Sequence, residues 1–562
     1  MTGRAVFQVS QTPGKRKNEV LDTALLKPLS VSTIVEALHH RADTMPNALA
    51  YAMGHEEISY GRLRDDVLQI ASALAVCGLE PGGRCAVLLP TGLDFIRTLF
   101  AVQALGAAPV PINPAQPIDF LLGRLRLLRC SLVIAGRSAL TALQASDVWP
   151  PGLLSVAAED LNQRPADRPQ QRPLPKPDDP AVLVLTSGTS GEPHAAVILH
   201  RNLMASVRSG LTRLEVRADD VLVNWVPLYH GLGLVRFVFG PLFFGCPVHL
   251  VQPSIANLRN WLETASRVRA TITGGPDFAY RAATELVEPA GLDLRALRYA
   301  ISSGEPIRLD TIQRFERKFG LSDVVRPVYG LAEANGVTSF APVEPLRTDE
   351  AGNVSCGRAV DGLEVEIVDA DGKLQPVGVP GEIRVRGEQV FAGYLDDQEA
   401  TRQKLRDGWL YTGDIGSLDA DGHLYVTGRV RAMIKRGGAL LAPRDIEQAA
   451  ERVAGVLGSA AIGIIRPSLF GTEDVVVVAE VDPAVASSDA VQSQTTRSIG
   501  DEVSRSLGFT PAEVVLVRFK SIPRTPNGKV RHEELRRLYS TGELVRSGSV
   551  LFGGGRDRLI LS

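Results

Sequence analysis

Short, β-branched apolar runs alternate with stretches of helical periodicity through the first 300 residues, and this pattern restricts the fold more than any other feature. The runs CAVLLP at 85–90 and APVPINP at 108–114 predict buried strands, and residues 93–105 between them predict a helix. Strands connected through helices are typical of parallel sheets that are covered on both faces. We therefore predict an α/β fold with parallel sheets in a large N-terminal part.

The same alternation predicts further elements. Helices are expected at 33–41, with Ser32 as the N-cap, and at 60–74. A stretch rich in Pro, Arg and Gln at 150–180 predicts a surface connection. Additional strands are predicted at 131–135, 181–185, 221–225, 247–251, 270–273 and 299–302.

The pattern changes after Gly357, where strand-like segments with turn signals between them predict an antiparallel, β-barrel-like subdomain. Beyond Arg431, a helix at 443–453, apolar strands around 460–465 and 474–481, a second helix and a strand around 514–519 predict a small α+β unit. The predicted organisation is a flexible leader at 1–30, an N-terminal domain at 31–430, a mobile C-terminal domain at 431–540 and a tail at 541–562.

Composition excludes several classes of function. The 562 residues contain 61 Lys and Arg against 63 Asp and Glu, so recognition of nucleic acid through bulk positive charge is not expected. The five cysteines are far apart without a CxxC pair, which disfavours a zinc site or a disulfide framework and favours a reducing cytoplasm. The most apolar stretch, 232–252, contains Arg236 and two prolines, so no membrane span is predicted, and the N-terminus does not have the pattern of a secretory signal.

The sequence LTSGTSGEP at 185–193 follows a predicted strand and is suited to holding a polyphosphate. Its glycines let the backbone bend with N–H groups turned inward, and its Ser and Thr hydroxyls are further donors. It lacks the Gly-Lys-Ser/Thr ending of P-loop nucleotidases. Taken alone, such a Ser/Thr/Gly segment is more often an ordinary loop.

Three other segments carry groups that suit a nucleotide. In VYGLAEA at 328–334, Tyr329 is able to stack on a purine and Glu333 to hold Mg²⁺. Asp414 in WLYTGDIG is an acceptor for ribose hydroxyls, and Arg429 is a donor to the same sugar or a phosphate. Lys529 follows an Asn-Gly turn and is expected at a loop tip. Taken singly, each residue also fits a purely structural role.

The order and spacing of all four segments resemble one family from about residue 31 to 540. The chain resembles the adenylate-forming superfamily of acyl-CoA synthetases, nonribosomal peptide adenylation domains and luciferases, and most closely the fatty acyl-AMP ligases. The segments that carry the closer resemblance are VPLYHGLGL at 226–234, GGPDFAYR at 274–281, DLRALRYAISSGEPIR at 293–308, YGLAEA at 329–334 and VSCGR at 354–358. The resemblance implies that ATP and Mg²⁺ convert a carboxylic, in particular fatty, acid into its acyl-AMP, which acylates the phosphopantetheine thiol of an acyl carrier protein, as in lipid, polyketide or nonribosomal peptide biosynthesis.

The resemblance also implies roles for individual residues. Asp414 and Arg429 would hold the ribose, Glu333 would position Mg²⁺, and His230 would donate to the substrate carboxylate. Gly275 and Phe278 would border the acyl channel. The residues that would grip the pyrophosphate half of ATP are Thr186, Ser187, Gly188, Thr189, Ser190 and Gly191. Those that would form the adenine slot are Gly304, Glu305, Pro306, Tyr329 and Gly330.

The C-terminal unit carries the cation that the resemblance assigns to catalysis. Lys529 would stabilise the negative charge that develops during phosphoryl transfer. Because most nucleotide residues lie on the large domain, the two units must close on each other. Arg431 matches the hinge position of the superfamily, and rotation there would withdraw Lys529 and admit the thiol.

Three departures from the family pattern leave alternatives open. His194 stands where the phosphate loop normally has a lysine, and Gly231 where acyl-AMP ligases commonly have Asp. Only 13 residues separate Phe340 from Val354, so the insertion that disfavours CoA in acyl-AMP ligases is absent or very short. An acyl-CoA ligase is therefore the alternative function, and a nucleotide-binding scaffold with weak catalysis that docks a carrier protein is the second alternative.

Overall fold

The computed structural model describes residues 29–161, 173–186, 194–304, 307–340, 344–429, 434–436, 439–441, 443–465, 473–525, 528 and 530–554. The first of these segments forms a four-stranded parallel sheet of order β4-β3-β5-β6 and the first two strands of a second sheet. Its elements are α1 (Ile34–Thr44), β1 (Leu49–Met53), β2 (Glu56–Ser59), α2 (Tyr60–Val76), β3 (Arg84–Leu88), α3 (Leu93–Ala104), β4 (Ala108–Pro111), α4 (Ile118–Leu127), β5 (Leu132–Ala135), α5 (Arg137–Gln144), β6 (Leu154–Ala157) and α6 (Ala158–Leu161).

The first helix begins one residue later than predicted, because Thr33 and not Ser32 is its N-cap. The Thr33 hydroxyl accepts a hydrogen bond from the Glu36 amide, and the Glu36 carboxylate accepts from the Thr33 amide, which completes a capping box. The Ser32 amide donates to the same carboxylate at 2.6 Å. Thr33 rather than Ser32 is the N-cap because this pair of hydrogen bonds needs a Glu three residues after the cap, and Glu36 is at that distance from Thr33.

Strands between residues 222 and 327 complete a seven-stranded sheet of order β13-β12-β11-β9-β10-β1-β2. All its neighbouring strands are parallel except β1 and β2. The predicted parallel α/β architecture is therefore confirmed. The elements are β7 (Pro180–Leu185), β8 (Ala195–Leu199), α7 (His200–Arg213), β9 (Leu222–Asn224), a π-helix (Gly233–Phe239), α8 (Gly240–Phe244), β10 (Val248–Leu250), a 3₁₀ turn (Ile255–Asn257), α9 (Leu258–Arg267), β11 (Ile272–Gly275), α10 (Asp277–Leu286), β12 (Tyr299–Ser302), α11 (Leu309–Phe319) and β13 (Val325–Pro327).

Both faces of the parallel sheets are buried, as the continuous apolar strands predict. In β5, Leu132 and Ile134 belong to the largest apolar cluster, which also contains Ile272 of the second sheet. Val133, on the opposite face of β5, belongs to a separate cluster. Alternate residues of β5 thus pack into two different cores. A strand buried on both faces must be apolar at every position, whereas a half-exposed strand alternates apolar and polar residues.

Two predictions in this region need correction. Strand β7 does not join a parallel sheet: it pairs antiparallel with β8. The strands are separated by nine residues along the chain, from 186 to 194, and a crossover between parallel strands needs about a dozen or more. The stretch at 150–180 is not only a surface connection, since β6 lies within it and pairs parallel with β5. The strand, LSVA, contains only two consecutive apolar residues. With prolines nearby, this pattern was too weak to predict a strand.

The following region is antiparallel, as predicted from its turn signals. A five-stranded sheet has the order β16-β17-β20-β19, with β21 also paired to β20. The elements are β14 (Thr338–Ser339), β15 (Arg358–Ala359), β16 (Leu363–Val368), β17 (Gly381–Gly387), β18 (Gly393–Tyr394), α12 (Gln398–Lys404), β19 (Leu405–Arg406), β20 (Trp409–Leu418) and β21 (Leu424–Arg429).

The C-terminal part folds around a four-stranded sheet of order β24-β25-β26-β27 with apolar clusters on both faces. The predicted tail contributes to this sheet, because β27 pairs antiparallel with β26. No helix within the described residues is long and apolar enough to cross a bilayer. The elements are β22 (Ile434–Arg436), β23 (Ala439–Leu441), α13 (Pro443–Glu451), β24 (Val456–Ile465), β25 (Glu473–Val481), α14 (Pro483–Ala486), α15 (Asp489–Leu507), β26 (Glu513–Arg518), α16 (His532–Ser540), α17 (Glu543–Arg546) and β27 (Val550–Gly554).

Candidate active site

A cavity of about 670 Å³ opens at the carboxyl ends of the parallel strands. Residues 229–232 follow β9, residues 303–304 follow β12, and residues 328–333 follow β13, and all three segments line the cavity. Ligands of open α/β sheets bind at this edge, where the loops after neighbouring strands converge. The antiparallel sheet forms another wall with Glu382, residues 411–413 and Arg429.

Asp414 holds together two of the residues that line this cavity. Its carboxylate accepts a hydrogen bond from the Tyr329 hydroxyl at 2.6 Å and pairs with Arg429 Nε at 3.0 Å. The pairing of β20 with β21 sets Asp414 directly opposite Arg429, so the antiparallel register creates the ion pair. Burial and the adjacent Asp414 raise the pKa of Tyr329 well above its usual value, which keeps its hydroxyl a donor. The result is a fixed carboxylate with lone pairs suited to hydroxyl donors.

Glu333 is a second buried carboxylate at the cavity wall. Its Oε1 accepts a hydrogen bond from the Tyr394 hydroxyl at 2.6 Å, and its backbone carbonyl accepts from the Phe391 amide. Burial is the main cause that raises the pKa of Tyr394, followed by the charge of Glu333. Mg²⁺ in nucleotide sites is held by one or two carboxylates together with phosphate oxygens. A single oriented carboxylate fits that requirement, and the described residues contain no cluster of three or more metal-ligating side chains.

His230 lies beside Gly304 at the same cavity. The Leu232 amide donates to His230 Nδ1 at 3.4 Å, which leaves the ring proton on Nε2. A Cβ atom on Gly304 would be 3.9 Å from His230 Cε1, and Gly304 has a φ of +92°. His230 is therefore held in the tautomer in which Nε2 is a donor.

The two ends of the 187–193 segment meet at the cavity. The Thr186 amide and hydroxyl both donate to the His194 carbonyl, at 2.9 and 3.3 Å. His194 Nδ1 is 3.1 Å from Asp397 Oδ2, and its ring lies 4.9 Å from that of Tyr394. The residue that stands in place of the loop lysine is thus held beside a carboxylate and an aromatic ring.

The structure brings together some of the sequence-predicted residues and not others. Tyr329, Gly330, Glu333, Arg429 and His230 line the cavity together with Thr186 and Gly304, and Asp414 contacts two of them. The predicted residues that lie outside the described part of the chain are Ser187, Gly188, Thr189, Ser190, Gly191, Glu305, Pro306, Arg431 and Lys529.

Gly275 and Phe278, the predicted border of an acyl channel, do not line this cavity. Gly275 is buried at the end of β11, where a Cβ would contact Ala279. The Phe278 ring packs edge-on against Trp225, with 5.9 Å between centroids. A Cβ on Gly528 would be 3.4 Å from the Phe278 ring, so the C-terminal unit approaches the large domain here.

Several lining residues were not predicted from the sequence. Tyr394 and Lys404 come from the β18–α12 segment, and Lys404 Nζ donates to the Thr412 carbonyl at 3.0 Å while burial lowers its pKa. Both residues are far along the chain from the predicted site residues, and no motif in the sequence pointed to them. Arg236 and Asn335 also line the cavity, and an arginine inside the most apolar stretch of the chain was the signal that pointed to the first.

Comparisons with known proteins agree with this geometry. The family model described as AMP-binding enzyme matches residues 38–395. A sulfoacetate–CoA ligase of Cupriavidus necator is 32% identical over 87% of this chain and 94% of its own length. A medium-chain-fatty-acid–acyl-carrier-protein ligase, JamA of Moorena producens, is 28% identical over 91% of this chain and 96% of its own.

A solved structure from a study of fatty acyl-adenylate ligases from E. coli and L. pneumophila superposes with a TM-score of 0.81 at 26% identity. It covers 93% of this chain and 100% of its own. The similarity therefore includes the antiparallel region and the C-terminal sheet as well as the parallel sheets. The chain belongs to the AMP-binding enzyme family of the adenylate-forming superfamily, and it is an acid-activating ligase.

Proposed function

We propose that this protein uses ATP to activate a carboxylic acid as its acyl-AMP and then transfers the acyl group to the phosphopantetheine thiol of an acyl carrier protein. One observation carries the proposal. Arg429, Glu333 and His230 come from three separate segments of the chain and line a single cavity. Their chemistry matches three successive parts of the reactants: the ribose, the phosphates with Mg²⁺, and the acid carboxylate.

Adenylation is needed because a carboxylate is a poor electrophile. An oxygen of the acid attacks the α-phosphate of ATP, the bond from that phosphorus to the bridging oxygen breaks, and pyrophosphate leaves with the electron pair. The mixed anhydride then carries AMP as a good leaving group for attack by a thiol. Negative charge grows on the phosphate oxygens during transfer, so preorganised donors and cations are the main source of rate.

Each residue has a role in this scheme. Asp414, steadied by Tyr329 and Arg429, accepts from the ribose hydroxyls and fixes the nucleotide. His230 donates from Nε2 to the acid carboxylate and orients its attacking oxygen. Glu333 would hold Mg²⁺, which would neutralise charge on the phosphates. Thr186 begins the loop that grips the pyrophosphate half.

Lys529 supplies the mobile cation of the first step, and Arg431 is the hinge that withdraws it. The approach of Gly528 to Phe278 supports a closed arrangement of the two units. An ion pair between Arg308 of the large domain and Glu451 of α13 also joins them. Opening at the hinge breaks this contact and frees a path for the thiol.

The acceptor has a second candidate, CoA. The medium-chain relative acts with an acyl carrier protein and the sulfoacetate relative with CoA, according to their names. The short stretch of 13 residues at 341–353 favours CoA, because the insertion that disfavours CoA in acyl-AMP ligases does not fit there. The VPLYHGLGL, GGPDFAYR and YGLAEA segments favour the carrier.

The test is ATP–pyrophosphate exchange with a panel of carboxylic acids, followed by separate addition of CoA and of a holo carrier protein with mass spectrometry of the products. We expect acid-dependent exchange and an acylated carrier. No exchange with any acid would reject acid activation and favour the carrier-docking scaffold, whereas efficient acyl-CoA formation would make CoA the acceptor. Lys529→Ala is the inactive variant, and Lys520→Ala, an exposed lysine of the same unit, is its matched control.

A further inference from the structure

Arg236 is buried in the wall of the active-site cavity. It lies on the π-helix at Gly233–Phe239, its exposure is 4%, and it lines the cavity. A Cβ atom on Gly210 would be 1.7 Å from Arg236 Nη1, and one on Gly336 would be 2.9 Å from Nη2. Only residues without a side chain leave room for the guanidinium at these two positions.

The described residues supply no counter-charge to this guanidinium. Arg236 Nη1 has no hydrogen-bond partner among the described residues. Burial lowers the pKa of Arg236 to about 10, so it stays protonated at neutral pH. No carboxylate in the described part of the chain counters that effect. Because a buried, unpaired cation is strongly unfavourable, an anion from outside the chain is the natural partner.

Asn335 provides an independent second donor. Its Nδ2 is also buried and without a partner among the described residues, and Asn335 lines the same cavity. It precedes Gly336, whose backbone lies against the Arg236 guanidinium. Its carbonyl accepts from the Ser206 hydroxyl at 2.6 Å, which fixes the position of this segment. Two donors from separate segments, each without a partner among the described residues, therefore belong to residues that line the same cavity.

We propose that Arg236 and Asn335 bind a second anionic group, a carboxylate or a sulfonate, at the far end of the acid. The inference rests on the proposed function, because it names the class of acid that this site activates. His230 and Arg236 line the same cavity, so one acid with an anion at each end is able to meet both residues. The planar guanidinium fork suits either oxyanion.

The test compares acids of matched length in ATP–pyrophosphate exchange. Succinate, glutarate and 3-sulfopropionate carry the second anion, and butyrate and valerate do not. We expect kcat/KM of the wild type to favour the dianions by about 100-fold or more, because a site built around a polar group rejects the analogue that lacks it. Arg236→Met removes the preference and leaves KM for ATP unchanged, and Arg208→Met, an exposed position on α7, retains it.

A second variant distinguishes loss of anion binding from a folding defect. Asn335→Asp places a carboxylate beside Arg236, so we expect it to raise the melting temperature while abolishing the preference for dianions. The proposal is overturned if the wild type uses butyrate as well as succinate, or if Arg236→Met raises KM for ATP equally with every acid, which would assign the guanidinium to the nucleotide. If no acid supports exchange, the proposed function fails, and calorimetric titration of succinate into wild type and Arg236→Met still decides whether the anion subsite exists.

Discussion

Replacing Asp414 by Asn tests the nucleotide half of the site, since it keeps the shape of the side chain and removes its charge. Asp414 accepts from the Tyr329 hydroxyl at 2.6 Å and pairs with Arg429 at 3.0 Å. A hydrogen bond to a charged group contributes about 1.5–3 kcal/mol and one to a neutral group about 0.5–1.5. For two ribose hydroxyls the difference is about 2–3 kcal/mol. At 1.4 kcal/mol per tenfold, KM for ATP rises about 30- to 100-fold.

Stability is expected to change much less than nucleotide affinity. The Arg429 side chain is 47% exposed, so the lost ion pair contributes about 1 kcal/mol or less. The assay is exchange at saturating acid with ATP varied, next to thermal unfolding. Asp421→Asn is the matched control. Asp421 lies on the turn of the same hairpin, and this substitution also removes an ion pair, the one with Arg347. A folded Asp414→Asn variant whose KM for ATP equals that of the wild type would refute the ribose assignment.

Three more outcomes are expected. Lys529→Ala lowers the rate of acyl-AMP synthesis by about 10²–10³ without a change in melting temperature, and full activity in quenched-flow assays would contradict the proposed cation. Burial lowers the pKa of His200 from 6.5 to about 4, so its imidazole is protonated at a higher pH in the unfolded chain than in the folded one. The free energy of unfolding therefore falls by up to about 3 kcal/mol as the pH drops from 6.5 to about 4. In urea titrations, His200→Gln makes the free energy of unfolding less dependent on pH over this range. Gly233→Ala destabilises the fold by several kcal/mol, because a Cβ would be 2.3 Å from the Pro227 carbonyl oxygen, whereas Gly231→Ala, with no atom within 4 Å of its Cβ, is close to neutral in the same titration.

Local patterns were sufficient for most elements of the parallel sheets. Strands β5 and β12 were predicted to within one residue, because a buried parallel strand must be apolar on both faces and so stands out from its surroundings. Strand β6 and strand β27 were not found. Each is at the edge of its sheet, and the sequence of an edge strand is not constrained by neighbours on both sides.

The residues of the candidate site were likewise predicted only in part. Tyr329, Asp414, Arg429, Glu333 and His230 were singled out from motif order, and the structure places all five at one cavity or in contact with a residue that lines it. Gly275 and Phe278 were also singled out, but they do not line it and pack instead against Ala279 and Trp225. Which side of a loop faces the cavity depends on packing that the order of motifs does not contain.

The sequence by itself determined the alternation of strands and helices and the residue types that suit a nucleotide, because both depend on local spacing and side-chain chemistry, whereas the acid-activating family came from the resemblance of the ordered motifs to a known superfamily. Only the tertiary structure decided that Tyr329 donates to Asp414 across 85 residues of chain. Likewise, it alone placed the Arg236 guanidinium in the space left by Gly210 and Gly336. Pairing between distant segments depends on sheet register and on the volume of intervening side chains, and those are properties of the folded packing rather than of any one segment.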